Sequence, residues 1–134
     1  MKKVVNRKVI CLLMVLLLSV GTASAFDVAP LAYQYFRTGH VSLSNAGNFL
    51  VLNGETIAKH DVVMVKIEMY LQQYKNGSWE DVYHYVKSGF DNSYVSGTAT
   101  RVVPEGTYRI RGVHTVFHEG LTESTSSYTG PVDF

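Results

Sequence analysis

Past residue 25 the chain has no cysteine; its single Cys11 sits inside an apolar N-terminal run. Without thiols there is no disulfide, no thiolate metal site and no cysteine nucleophile, so stability has to come from a packed core. About 109 residues can supply one, since a chain of that size buries roughly two-thirds of the surface it exposes when unfolded. Clustered basic residues are missing as well, which removes the footprint that nucleic acid or an anionic membrane rewards. No Gly-x-Ser-x-Gly elbow is present, and no acid, histidine and serine follow one another between the turns a hydrolase needs. Glu80 and Asp81 are neighbours on an expected strand, point to opposite faces and cannot work as an acid/base pair. The expectation is a protein that is not an enzyme and uses no cofactor.

What is present begins with a leader. Lys2, Lys3, Arg7 and Lys8 precede an apolar run over residues 9–20, and small residues follow at Ala23-Ser24-Ala25. That order of basic, apolar and small residues is a secretory signal peptide, with cleavage expected after Ala25. A run of twelve residues falls short of the roughly 20 that span a bilayer as a helix. Cleavage removes four basic residues and no acidic one, leaving eight against eleven, so the formal charge moves from +1 to −3. Cys11 lies too early to carry a lipid at the cleavage point. No Lys/Arg-flanked apolar tail and no wall-sorting signature follow, so an untethered extracellular chain is expected, with a lead-in at residues 26–38 and one domain at 39–134.

Alternation of apolar and polar residues with a period of two organises that domain. Strands are expected near 40–44, 48–58, 62–74, 78–87, 94–103, 107–118 and 122–128. In the second, Leu50 and Leu52 share a face and Gly54 suggests a bulge or a close backbone contact. In the third, Val63, Val65, Ile67, Met69 and Leu71 form one face while Lys66, Glu68, Gln72 and Tyr74 form the other. Asn76-Gly77 supplies the two positive-φ residues of a type I′ hairpin turn, which also accounts for the sequon-like Asn76-Gly77-Ser78. In the sixth, Tyr108, Ile110, Gly112, His114 and Val116 point inward, opposite Arg109 and Arg111. About seven strands with turn chemistry between them predict an all-β fold, an immunoglobulin-like or fibronectin type III-like two-sheet sandwich. Tyr108, two residues after Gly106, stands where a tyrosine corner would bond upstream backbone.

Three stretches carry a resemblance: residues 70–82 (YLQQYKNGSWEDV), 106–114 (GTYRIRGVH) and 123–130 (ESTSSYTG). Together they resemble a family of small secreted β-rich proteins of Gram-positive, clostridia-like bacteria whose function is unassigned. The resemblance covers most of the chain after the leader. It implies an extracellular β-domain and no particular activity.

Among candidate site residues, His114 and His118 are four apart, but on a strand that spacing spans about 13 Å, whereas two ligands of one zinc lie within about 4 Å of each other. No metal site is therefore expected, and His114, with Tyr108 and Ile110, reads as structural. Trp79, Tyr83 and Tyr85 fall on one face of the strand after the hairpin turn. They form either a platform that stacks on sugar rings or seats a protein, or packing between the sheets. The expected function is a secreted non-catalytic module for binding or adhesion, with an envelope glycan or an extracellular protein as partner. The alternative is a secreted effector such as an inhibitor or antagonist toxin.

Overall fold

The computed structural model describes residues 32–134; the leader expected at 1–25 and the first part of the expected lead-in lie outside them. Among the described residues the elements are β1 (Phe36–Asn45), β2 (Leu50–Lys75), β3 (Ser78–Arg101), β4 (Thr107–His118), β5 (Leu121–Tyr128) and β6 (Val132–Asp133). All pair antiparallel in one continuous sheet that curls into a half-barrel. Its path runs β1-β2-β4-β5, with β3 along β2 and β6 along the start of β4.

The expected strands at 48–58 and 62–74 are one strand, β2, and those at 78–87 and 94–103 are one strand, β3. The Asn76-Gly77 turn joins them, with φ of 49° and 83°, the left-handed pair that a type I′ turn requires. Residues 50–58 of β2 lie between β1 and β3; residues 64–73 lie between β4 and β3. The first group, with β1 and residues 94–101 of β3, makes a first half-sheet. The second group, with β4, β5 and residues 78–90 of β3, makes a second.

A bend separates them. Ile57 is opposite Tyr94 but Val62 is opposite Asn92, so residues 58–61 bulge against the single Ser93. An extra residue on one strand bends it and raises its twist. It also shifts which positions point inward: Leu50, Leu52, Thr56 and Ala58 are buried before the bend, and Val65, Ile67, Met69 and Leu71 after it. Val63, expected on the inward face with Val65, stands directly after the bend and is exposed at 44%, while its neighbour Val62 is buried.

The curl brings the two inner faces together, and glycines receive the bulk of the opposite half. A Cβ on Gly39 would lie 2.3 Å from the His114 ring, and one on Gly54 would lie 2.8 Å from Met69 Sδ and 2.9 Å from Ile67 Cγ1. Gly54 and its cross-strand partner Gly97 form a side-chain-free row, and the Tyr85 ring lies on Gly97. Gly54 thus marks a close contact between half-sheets, as strand glycines commonly do. Fully buried Leu50, Leu52, Val65, Ile67, Met69, Leu71, Ile110 and Val116 fill the remainder. Burying each such side chain contributes about 1.5–3 kcal/mol.

Two polar devices close the ends. Tyr108 is buried, and its hydroxyl donates to Pro104 O at 2.7 Å. The carboxylate of Glu123 on β5 accepts from three successive backbone N–H groups, those of Gln34, Tyr35 and Phe36. Burial alone would raise the Glu123 pKa; those three donors and the nearby Lys59 ammonium outweigh it and hold the pKa below the ordinary value. This pins the entering chain across β5 and lets Tyr35 and Phe36 join the core.

Candidate binding face

The aromatic residues of β3 do not share a face. Leu71 is opposite Tyr83 while Gln72 is opposite Asp81, so Val82 is an extra residue on β3. Before this bulge Trp79 points to the convex exterior; after it Tyr83 and Tyr85 point into the half-barrel and pack on the core. Tyr85 covers Gly97, and the Arg101 guanidinium lies 4.2 Å from the centre of the Tyr83 ring. The expected platform of Trp79, Tyr83 and Tyr85 is therefore corrected: one inserted residue separates its members.

The bulge leaves a different cluster outside. Trp79 meets its cross-strand partner Tyr74, ring centres 5.2 Å apart. Across β2, Gln72 donates to Asp81 Oδ1 at 2.7 Å and accepts from Arg109 Nε at 2.8 Å. That double engagement explains why an outward glutamine is only 6% exposed. The Arg109 guanidinium lies 4.4 Å from the Trp79 ring centre and 4.9 Å from that of Tyr128 on β5. One row further, Tyr70 stands between His84, stacked at 4.2 Å, and Arg111 at 4.1 Å. Arg111 also reaches Asp81 at 3.3 Å, and Glu68 joins His84 to Lys66.

Arg109 thus lies over Trp79 and Tyr128, and Tyr70 lies against both His84 and Arg111. Such cation–π contacts are each worth about 0.5–1 kcal/mol at exposed sites. Tyr74 and Tyr128 are about half exposed. These contacts tie the row together across β2, β3, β4 and β5.

His114 lies elsewhere, fully buried between the half-sheets. Thr56 Oγ1 donates to Lys66 O and so accepts from His114 Nδ1 at 2.9 Å, which leaves Nε2 to accept from Ser127 Oγ at 2.7 Å. Burial keeps its pKa below the ordinary histidine value, so the ring is neutral. His118 is separated from it and instead lies 5.3 Å from His60 and 4.9 Å from Tyr35, ring centre to ring centre. Among the described residues no three histidine, cysteine, aspartate or glutamate side chains gather as metal ligands.

Tyr70, Tyr74, Arg109, Arg111 and Tyr128 escape sequence reasoning as a group. The hairpin turn alone pairs Trp79 with Tyr74, but the arginines join only once β4 is known to flank β2. No family model, curated protein or solved structure matches the chain.

Proposed function

We propose that this protein is a secreted, non-catalytic binding module that docks on an extracellular protein through the Trp79, Arg109, Tyr128, Tyr70 and Arg111 face. One observation carries the reading: tryptophan, tyrosine and arginine form a pre-ordered, partly exposed row across four strands. Those are the residue types that dominate binding energy at protein interfaces, and order in advance reduces the entropy lost on docking. The guanidinium groups over Trp79, Tyr70 and Tyr128 favour a partner that offers hydrogen-bond acceptors together with apolar contact over plain sugar stacking.

The leader at residues 1–25 supports export, and the resemblance to clostridia-like secreted β-proteins supports an extracellular setting. Inward packing of two half-sheets, with Tyr108 bonded to Pro104 O, supports reading the half-barrel as a relative of the immunoglobulin-like sandwich. An inhibitor or antagonist toxin would use the same face against a competitor's protein.

Retention of the purified protein on intact producer cells and on cells shaved with protease tests this. Retention that protease abolishes, and that falls at least tenfold with Trp79→Ala and Arg109→Ala but not with Glu105→Gln, is the expected result. Retention that survives shaving and both alanine changes would sink the reading. Inhibition of neighbouring strains without retention on the producer would assign the effector role.

A further inference from the structure

The exterior of the first half-sheet is made of other material. Ser42, Asn53 and Thr98 stand in one cross-strand row over β1, β2 and β3, and His40, Glu55 and Ser96 stand in the next. Between the rows lies an open groove of about 300 Å³, lined also by Tyr94. The peptide backbone of Gly54 and Gly97 forms its base, because the alternation places that pair between the two rows.

The walls are partly pre-set. Thr98 Oγ1 donates to Asn53 Oδ1 at 2.8 Å, and the Tyr94 hydroxyl donates to Glu55 Oε2 at 3.3 Å. Those bonds fix the Asn53 amide and the Glu55 carboxylate while leaving Asn53 Nδ2 and Glu55 Oε1 for a ligand. The hydroxyls of Ser42 and Ser96 and the His40 imidazole add groups that both donate and accept. Strand spacing places neighbouring side chains within a row about 4.8 Å apart.

This chemistry selects its ligand class. One carboxylate and no lysine or arginine in the walls disfavour phosphate, nucleic acid and acidic polymers. A single carboxylate is also too few oxygen ligands for calcium. What the walls complement is an uncharged molecule dense in hydroxyls, with an apolar C–H face to rest against Tyr94. The geometry points to a second binding site, independent of the aromatic–arginine face, that takes a neutral saccharide. Its volume sits at the lower end of the roughly 300–1,000 Å³ of small-molecule sites, which suits a short segment or the end of a glycan.

Titration of the purified protein with short cello-, malto- and N-acetylglucosamine oligosaccharides, followed by amide chemical shifts, tests the assignment. At least one sugar is expected to move the signals of residues 40–42, 53–55 and 94–98, with a dissociation constant on the order of 1 mM or below. Glu55→Gln should weaken that sugar about tenfold, Ser96→Trp should abolish binding by filling the groove, and Lys87→Ala should leave it unchanged. Absence of shifts at these residues with every sugar up to about 10 mM would overturn the assignment. So would shifts that persist in Ser96→Trp, or equal shifts on adding sodium phosphate.

Discussion

Residues 50–58 and 64–73 of β2 belong to one strand, yet they turn different chemistry to solvent. The first stretch shows Val51, Asn53, Glu55 and Ile57; the second shows Lys66, Glu68 and Tyr70. Inward they differ in size rather than polarity. Gly54 and Thr56 meet Ile67, Met69 and His114 from the other side. The second half-sheet supplies the volume and the first supplies the hollow. The outer faces then separate because neither has to serve the core: one becomes a hydroxyl-lined groove, the other a stack of rings and guanidinium groups.

Filling the hollow should break this complementarity most severely. Gly39→Ala places a methyl inside the His114 ring, and a ring bonded at both nitrogens cannot move without losing Thr56 and Ser127. A loss of about 3 kcal/mol is expected in urea unfolding. An unaltered midpoint would show that the half-sheets slide past each other freely. Glu123→Gln comes next at about 2 kcal/mol, because three backbone donors lose a charged acceptor. Proteolysis at residues 32–36 should accelerate with it.

The same two groups divide the pH response. His114 is held neutral with a lowered pKa, so above about pH 6.5 folded and unfolded states bind equal numbers of protons at this site. Below that value the unfolded state takes up a proton that the native state refuses, and stability falls by at most about 1.4 kcal/mol per pH unit. His114→Gln should flatten that slope. Glu123 acts lower: its depressed pKa contributes stability present above about pH 4.5 and lost as pH falls through the folded value. Denaturation midpoints measured from pH 7 to pH 3 separate the two steps.

Smaller effects sharpen the comparison. Tyr108→Phe removes the bond to Pro104 O and is expected to cost about 1 kcal/mol. On the exteriors, Trp79→Ala should cost about 0.5–1 kcal/mol through its contact with Arg109, while Thr98→Val should stay within about 0.5 kcal/mol. Equal losses at Trp79 and Thr98 would mean that the aromatic row adds no rigidity of its own.

Much of the architecture is legible from alternation and from one turn. Asn76-Gly77 announces the hairpin, Val65 to Leu71 announces the core, and Tyr108, Ile110 and His114 lie inward as the alternation of β4 requires. The site is harder to read, because residues 79–86 are partly aromatic or apolar on both faces. A strand of that kind shows no break in pattern when Val82 is inserted, so the bulge that turns Trp79 outward and Tyr83 inward leaves no trace in composition. Val63 escapes alternation for another reason: it stands directly after the bend at 58–61, where Val62 is buried and Val63 exposed although Val63 shares the parity of Val65. The role of Glu123 was hidden because its donors lie nearly ninety residues away.

The β2–β3 hairpin also sets an order in time. Contacts next to Asn76-Gly77 close short loops, whereas Leu50 meets Arg101 only across the whole ribbon, and longer loops cost more entropy to close. Zipping outward from the turn forms the pairs of the second half-sheet first. The hollow then closes on side chains already in register. Pulse-labelled hydrogen exchange during refolding should show amides of residues 69–74 protected before those of residues 50–56. On that schedule the glycan groove is the last surface to exist, and partial unfolding would erase it while the aromatic row still stands.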